Sequence, residues 1–158
     1  MYTGTYRIAG RSIAIESQYP DVHAYCAAYR HAGEPDFTIR ITPADIDRER
    51  DKSAREDQRQ GIAPRAFPEG YLEELAVYRQ IADRMPAYDT LLIHGSAIAL
   101  DGAAYLFTAR SGTGKSTHTR FWRQTFGSRA VMINDDKPLV GLTDAGAVIY
   151  GTPYSGQI

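Results

Sequence analysis

The nine residues from Ala109 to Thr117 constrain this chain more than any other stretch of its sequence. They read Ala-Arg-Ser-Gly-Thr-Gly-Lys-Ser-Thr and match the pattern G-x-x-x-x-G-K-[ST] at every position except the first, where Ala109 replaces glycine. This pattern is typical of loops that bind phosphate between a strand and a helix. An apolar run precedes the nine residues, and a helix-like segment follows them. The sequence therefore predicts a strand, a glycine-rich turn and a helix in succession.

Each residue type in this loop has a physical role in binding phosphate. Glycines let the backbone turn sharply, so that successive N–H groups can face phosphate oxygens. The lysine can reach the β- and γ-phosphates, and the hydroxyl that follows it can bind Mg²⁺. The positive end of the helix favours the same anion. We therefore predict a site for ATP and Mg²⁺ formed by Ser111, Gly112, Thr113, Gly114, Lys115, Ser116 and Thr117.

Two adjacent carboxylates follow a strand-like run downstream of this loop. The apolar run 131–134 ends at Asp135 and Asp136. Phosphates alone do not complete the coordination of Mg²⁺, so a carboxylate is needed near them. The spacing allows either acid to bind the metal while the other accepts the proton of an attacking hydroxyl. We favour Asp135 as metal ligand together with Ser116, and Asp136 as base. An Asp-Asp turn or helix cap is the alternative.

A histidine lies in the apolar run upstream of the loop. His94 falls within 91–100, and Asp101-Gly102 joins this run to 103–109, which enters the loop. Asp-Gly between two strand-like runs predicts a two-residue hairpin, because both turn positions favour positive φ. We predict one strand over 91–100 and place His94 near the phosphates, where it could orient the base or polarise a phosphate. A core histidine without a chemical role is the alternative.

Downstream of the loop the sequence predicts one helix and two further strands. The helix extends over 115–126, and its spacing predicts that Phe121, Trp122 and Phe126 supply the buried side. Strand-like runs follow at 130–134 and 147–150.

Three segments in this order resemble one known family. They are His94-Gly95, the loop segment 111–116 and Asp135-Asp136, and a fourth segment, 151–156, resembles a family segment on the phosphate side. Over about residues 90–156 the chain is similar to the C-terminal domain of HPr kinase/phosphorylase. These are bacterial serine kinases whose nucleotide-binding core is shared with phosphoenolpyruvate carboxykinase. The predicted hairpin agrees with this resemblance. In most phosphate-loop NTPases the strand before the loop belongs to a parallel βαβ sheet, whereas an antiparallel partner immediately upstream suits the kinase and carboxykinase core.

This resemblance implies an α/β fold with a mixed sheet, ATP and Mg²⁺ as ligands, and phosphoryl transfer to a hydroxyl. We accordingly predict an ATP-dependent kinase acting on a serine, a threonine or a small-molecule hydroxyl, with catalytic residues His94, Lys115, Asp135 and Asp136. A phosphoenolpyruvate carboxykinase-like enzyme and a nucleotide-binding regulatory or vestigial module without turnover remain alternatives. The family core continues with further strands and helices, so we expect the core to be incomplete at the C-terminus.

The N-terminal part of the chain differs in character from the rest. We assign 1–88 to an accessory α/β region and 89–158 to the nucleotide-binding core. The charged stretch 44–68 contains few apolar residues and is predicted to be a linker, either a solvated loop or an exposed helix. A docking surface is the alternative. The other predicted elements are a strand pair, a short helix, a strand and a longer helix, over 5–16, 21–29, 36–42 and 71–85.

Composition limits the broad class of function. The 158 residues carry 18 Lys+Arg and 19 Asp+Glu, a balance that argues against a general nucleic-acid binder. No apolar run approaches the roughly 18–20 residues that cross a bilayer, and the N-terminus lacks a signal-peptide layout. The single cysteine, Cys26, excludes an internal disulfide and favours a reducing compartment. We predict a cytoplasmic protein whose partners are a nucleotide and a hydroxyl acceptor, with homo-oligomers implied by the family.

Overall fold

The protein is a mixed α/β protein with small sheets. The computed structural model describes residues 1–155, which contain four α-helices and three three-stranded sheets. Backbone contacts divide the chain into an N-terminal unit, Met1–Asp83, and a C-terminal unit, Arg84–Ile158. The sequence predicts this boundary after residue 88. None of the helices in the described residues is long and apolar enough to cross a membrane.

The N-terminal unit contains one sheet and three α-helices. Its first two strands form an antiparallel hairpin, and the third pairs in parallel with the second. Ala9 and Gly10 form the hairpin turn, both with positive φ. The predicted strand pair, short helix, third strand and long helix are confirmed. The elements are β1 (Tyr2–Ile8), β2 (Arg11–Ser17), α1 (Asp21–Tyr25), a 3-10 turn (Ala27–Tyr29), β3 (Phe37–Arg40), α2 (Pro43–Arg59) and α3 (Glu69–Arg84).

The buried apolar side chains of this unit come from both its strands and its helices. Cys26 is fully buried, and burial raises the pKa of its thiol to about 12. Tyr71 on α3 is exposed. The buried apolar residues are Tyr6, Ile8, Ile13, Ile15, Val22, Cys26, Ile39, Ile41, Ile46, Leu72, Ala76, Val77 and Ile81.

Residues 44–68 are not simply the charged linker that the sequence predicts, because most of them form α2. Glu49 on this helix is only 2% exposed, and its Oε1 accepts a hydrogen bond from Arg79 Nε at 2.6 Å. Asp57 is also buried and accepts a hydrogen bond from the Arg65 backbone N–H at 2.8 Å. Paired charges can be buried where single charges cannot. The stretch is therefore packed into the unit through its charged residues.

The C-terminal unit contains two antiparallel sheets and one α-helix. The elements are a 3-10 turn (Met85–Tyr88), β4 (Thr90–Leu92), β5 (Ser96–Leu100), β6 (Ala103–Phe107), α4 (Lys115–Phe126), a second 3-10 turn (Gly127–Arg129), β7 (Ala130–Asn134), β8 (Leu139–Thr143) and β9 (Gly146–Tyr150). One sheet has the strand order β6-β5-β7 and the other β4-β8-β9. β8 is a strand that the sequence does not predict.

The predicted hairpin is confirmed, and the strand predicted upstream of it is wrong. Asp101 and Gly102 have φ of 50° and 85° and join β5 to β6. The run 91–100 is not one strand, because β4 and β5 belong to different sheets. Residues 93–95 lie between the two strands, and the Gly95 N–H donates to the Asp136 carbonyl oxygen at 2.9 Å in the same register as the pairing of β4 with β8. His94 therefore lies in a connection rather than inside a strand.

Helix α4 has its predicted bounds but buries different residues from those predicted. Thr119 is its fully buried side chain, whereas Phe121 is 53% exposed and Trp122 and Phe126 are half-buried. The helix contacts β5 and β7 of a sheet that is only three strands wide. Such a sheet spans about 10 Å between its outer strands, so it cannot cover the whole apolar side of the helix.

Candidate functional site

The predicted site residues lie on segments that meet at one end of the sheet β6-β5-β7. Strands β6 and β7 both run antiparallel to the central strand β5. Their C-terminal ends therefore lie beside the N-terminal end of β5. The glycine-rich loop, residues 109–114, follows β6; Asp135 and Asp136 follow β7; and His94 precedes β5. The chain topology thus brings together three segments that are distant in sequence.

The glycine-rich loop has a backbone that depends on its glycines. Gly112 and Gly114 have φ of 81° and 98°, in the left-handed region that other residues avoid. Gly114 is also the N-cap of α4. Ala109 is not among the residues with positive φ, so alanine fits at the position where the pattern has glycine. The exposed predicted nucleotide-binding residues are Ser111, Gly112, Thr113, Gly114, Ser116 and Thr117.

Lys115 is held against the backbone of this loop. Its Nζ donates to the carbonyl oxygen of Ala109 at 3.0 Å and lies 3.4 Å from that of Arg110. An ammonium group has three hydrogens, so two such bonds leave one for an anion. The loop therefore keeps a positive charge beside the N-terminus of α4, where the helix dipole also favours negative charge.

A buried hydroxyl connects α4 to the acid pair. Ser96 is fully buried, and its Oγ donates to Asp135 Oδ1 at 2.6 Å and lies 2.9 Å from Thr119 Oγ1. Thr119 Oγ1 in turn lies 3.2 Å from the carbonyl oxygen of Ser116. This chain of contacts fixes the Asp135 carboxylate relative to the first turn of α4.

Asp136 forms a separate cluster with two basic side chains. Its Oδ1 lies 3.4 Å from His94 Nε2, and its Oδ2 lies 3.2 Å from Lys137 Nζ. All three side chains are partly exposed. No hydrogen bond or ion pair within residues 1–155 joins His94 or Asp136 to Lys115. The structure thus pairs His94 with the predicted base rather than with the predicted phosphate-binding lysine.

A buried asparagine supports the turn that carries the two acids. Asn134 Oδ1 accepts hydrogen bonds from the backbone N–H groups of Asp136 and Lys137 at 3.0 and 2.8 Å, and its Nδ2 donates to Thr152 Oγ1 at 3.1 Å. The Asp135 N–H donates to Ser155 Oγ at 3.1 Å. The 151–156 segment therefore contacts this turn through Thr152, Tyr154 and Ser155, and its last residue falls outside the described residues.

The sequence does not reveal several residues that hold this site together, namely Ser96, Thr119, Asn134, Lys137 and Ser155. Two of them carry a signal that could be used. Ser96 is a hydroxyl in an apolar run immediately after His94, and Thr119 falls one helical turn after Lys115 on the same face of α4. Contacts that depend on how strands pair leave no such trace in a single sequence.

The oxygen groups present suit a metal that arrives with a phosphate ligand. No cluster of three or more His, Cys, Asp or Glu side chains within residues 1–155 could hold a metal ion. Asp135 and Ser116 offer the hard oxygen ligands that Mg²⁺ prefers. Mg²⁺ commonly takes only one or two ligands from the protein and the rest from phosphate and water. The donor set therefore fits Mg²⁺ bound to a nucleotide.

No protein-family model matches this chain, and no curated protein sequence matches it. The resemblance to HPr kinase/phosphorylase therefore rests on the motifs and on their order along the chain.

Proposed function

We propose that this protein is an ATP- and Mg²⁺-dependent kinase that phosphorylates a hydroxyl group, on a core similar to that of HPr kinase/phosphorylase. One observation carries the proposal: a glycine-rich loop with its lysine and a pair of carboxylates lie at the same end of one sheet. Phosphoryl transfer depends mainly on positioning and charge stabilisation. The loop with its lysine would position the phosphates and stabilise their charge, and the carboxylates would position the metal and the attacking hydroxyl.

The loop and the start of α4 would hold the phosphates of ATP. Positive φ at Gly112 and Gly114 lets backbone N–H groups turn toward one anion. Lys115 would exchange its contacts with loop carbonyls for a phosphate oxygen, which is a stronger partner because it is charged. Ser116 and Asp135 would hold Mg²⁺, which neutralises charge on the phosphates when it is bound.

Asp136 is the group we assign to accept the proton of the attacking hydroxyl. In the transfer, the hydroxyl oxygen forms a bond to the γ-phosphorus, the bond from that phosphorus to the leaving oxygen of ADP breaks, and the proton passes to the Asp136 carboxylate. His94 contacts this carboxylate at 3.4 Å and Lys137 contacts it at 3.2 Å. Both contacts would hold the carboxylate in one orientation.

Turnover of ATP by the Lys115→Ala variant tests the proposal. ADP formation is measured with Mg²⁺ and a panel of acceptors: a serine peptide, a threonine peptide and glycerol. We expect a loss of roughly 100-fold or more, because a charge that stabilises the transition state is removed. Lys52→Ala is the matched control, since Lys52 is 68% exposed on α2 and far from the loop in sequence. Undiminished turnover in Lys115→Ala contradicts the proposal.

Two other outcomes separate the kinase from its rivals. ATP binding without ADP formation on any acceptor favours a nucleotide-binding module without turnover. Formation of phosphoenolpyruvate from oxaloacetate and ATP favours a carboxykinase-like enzyme.

A further inference from the structure

A cleft of about 670 Å³ adjoins the glycine-rich loop on the side of α4. Thr113, Lys115 and Thr117 line one part of it, and these residues belong to the proposed phosphate site. The cleft continues from there between the end of β6 and the exposed side of α4. A ligand whose phosphates lie on the loop would therefore have its remaining atoms at this cleft.

The far part of the cleft is aromatic. Phe107 from β6 and His118 and Phe121 from α4 line it. The Phe107 and His118 rings stand edge to face, with centroids 4.6 Å apart. Phe121 is 53% exposed, although its neighbour Arg120 places a guanidinium 5.7 Å from the ring centroid. An exposed aromatic ring therefore lies in the same cleft as the loop residues Thr113 and Lys115.

A hydrogen bond fixes the orientation of the His118 ring. The indole Nε1 of Trp122 donates to His118 Nε2 at 3.2 Å. An indole N–H can only donate, so His118 Nε2 accepts and the neutral ring carries its hydrogen on Nδ1. The wall of the cleft is therefore pre-organised: one ring is packed against Phe107 and held by Trp122 before any ligand arrives.

We propose that this aromatic cleft binds the purine base of the nucleotide, with Phe121 as a stacking surface and His118 as the fixed wall. The inference rests on the proposed function, since it places the base of the same ligand whose phosphates lie on the glycine-rich loop. A flat heteroaromatic ring gains from stacking on aromatic side chains, and every base offers such a face. The loop supplies the charge contacts, and the cleft distinguishes a nucleoside triphosphate from bare triphosphate.

The single tryptophan of the chain reports on this cleft. Trp122 contacts two of its walls, with ring centroids 5.4 Å from Phe107 and 6.2 Å from His118. Binding of a base against these walls should change the fluorescence of Trp122, whereas binding of phosphates on the loop alone should leave it nearly unchanged.

The test compares ATP with inorganic tripolyphosphate on the full chain, with Mg²⁺. Calorimetry measures the affinities, and the fluorescence of Trp122 shows whether the base binds at the cleft. We expect Phe121→Ala to weaken ATP binding about 10-fold, the size of one base–aromatic stacking contact, and to leave the affinity for tripolyphosphate within about 2-fold of the parent protein. Leu142→Ala is the matched control, because Leu142 is 58% exposed in the other sheet of the same unit. His118→Ala serves as a second variant, with the same pattern expected.

The outcomes separate this inference from the proposed function. If Phe121→Ala weakens ATP and tripolyphosphate equally, or if neither variant changes ATP affinity relative to Leu142→Ala, the base does not bind in this cleft. In that case the kinase proposal stands as long as ATP still binds and turns over. If neither ATP nor tripolyphosphate binds the parent protein, the proposed function and this inference both fail.

Discussion

The two units of the chain place their charged side chains differently. In the N-terminal unit, Glu49, Asp57 and Glu73 are buried, and each accepts hydrogen bonds inside the unit. In the C-terminal unit, Lys115 and Asp136 lie at the surface on loops or at the end of a helix. Most of the fully buried apolar side chains also belong to the N-terminal unit.

This difference has a consequence for how much each charged group contributes to stability. Buried charges that are fully paired hold one geometry, and their partners are costly to remove. Exposed charges on loops cost little to maintain and remain available to a ligand. The N-terminal unit therefore uses buried charges in its packing, whereas the C-terminal unit leaves Lys115 and Asp136 accessible.

The largest expected effect comes from breaking a buried ion pair of the N-terminal unit. Arg79→Met leaves the Glu49 carboxylate buried without its guanidinium, and we expect the free energy of unfolding to fall by roughly 3 kcal/mol. Urea unfolding followed by circular dichroism measures the loss. The control is Arg129→Met, which breaks the Arg129–Asp101 pair of the C-terminal unit, with side chains 61% and 53% exposed, and should leave the urea midpoint nearly unchanged because solvent screens the pair. Equal losses for the two variants would remove the distinction between the units.

A second prediction concerns the close approach at the proposed site. A Cβ at Gly95 would stand 2.8 Å from the carbonyl oxygen of Phe107, which is backbone and cannot move aside cheaply. We expect Gly95→Ala to destabilise the C-terminal unit by about 2 kcal/mol. In the N-terminal unit a Cβ at Gly33 meets His31 Nε2 at the same 2.8 Å, but this atom is the end of a side chain. Gly33→Ala should therefore be nearly neutral in the same urea titration.

A third prediction tests whether the exposed site depends on a buried contact. Ser96→Ala removes the hydroxyl between Asp135 and Thr119, and we expect a loss of roughly 1–2 kcal/mol in stability because buried polar atoms lose their partner. If the contact also positions Asp135, the turnover number should fall while the affinity for tripolyphosphate is retained. Thr143→Ala, which removes an exposed hydroxyl bond to Gly146, is the control. A turnover number unchanged by Ser96→Ala would show that the contact serves the fold alone.

The smallest expected effect concerns a buried histidine of the N-terminal unit. Tyr6 Oη lies 2.6 Å from His23 Nδ1, and His23 Nε2 lies 2.9 Å from Ser17 Oγ. Ser17 donates its one hydrogen to the Tyr19 carbonyl oxygen at 2.7 Å, so Nε2 carries the imidazole hydrogen and Nδ1 accepts from Tyr6. The neutral ring is thus fully bonded, and burial lowers the pKa of His23 below its ordinary value.

Because this pKa is lower in the folded state, the unfolded chain binds more protons below about pH 6.5. The stability contributed by neutral His23 is present above that pH and is lost as the pH falls toward the folded pKa. We expect the urea midpoint to decrease between about pH 7.5 and pH 6, and this decrease to be reduced in His23→Gln. Glu73 acts in the opposite direction, since burial raises its pKa. A pH dependence that is the same in His23→Gln would contradict this assignment.

Local signals predicted most of the elements. The Asp101-Gly102 turn, the bounds of α4 and the hairpin of β1 and β2 follow from turn chemistry, a glycine stop and alternating residues, all of which act over a few positions. The change of sheet between β4 and β5 could not be predicted, because it depends on pairing with β7 and β8, which come later in the chain. The packing of α2 was missed for a similar reason: hydropathy treats Glu49 as solvated, whereas Arg79 on another helix neutralises it.

The candidate site was predictable in its residue types but not in its connections. The loop and the acid pair are contiguous motifs, and so the sequence alone identifies them. The Ser96 contact and the pairing of His94 with Asp136 arise from the antiparallel placement of β5 between β6 and β7. The aromatic cleft could not be predicted from the sequence. Helical spacing places Phe121 and Trp122 on one side of α4, but it does not show whether a sheet covers that side.

The burial of Cys26 allows local opening of the N-terminal unit to be measured by the reactivity of one thiol. A thiol with a pKa of about 12 is protonated at neutral pH and, being fully buried, meets no reagent while the N-terminal unit is closed. Alkylation then proceeds only through openings of that unit, and its rate measures how often they occur. With a single cysteine in the chain, no second thiol contributes to the signal. The rate of alkylation therefore times the openings of the N-terminal unit alone.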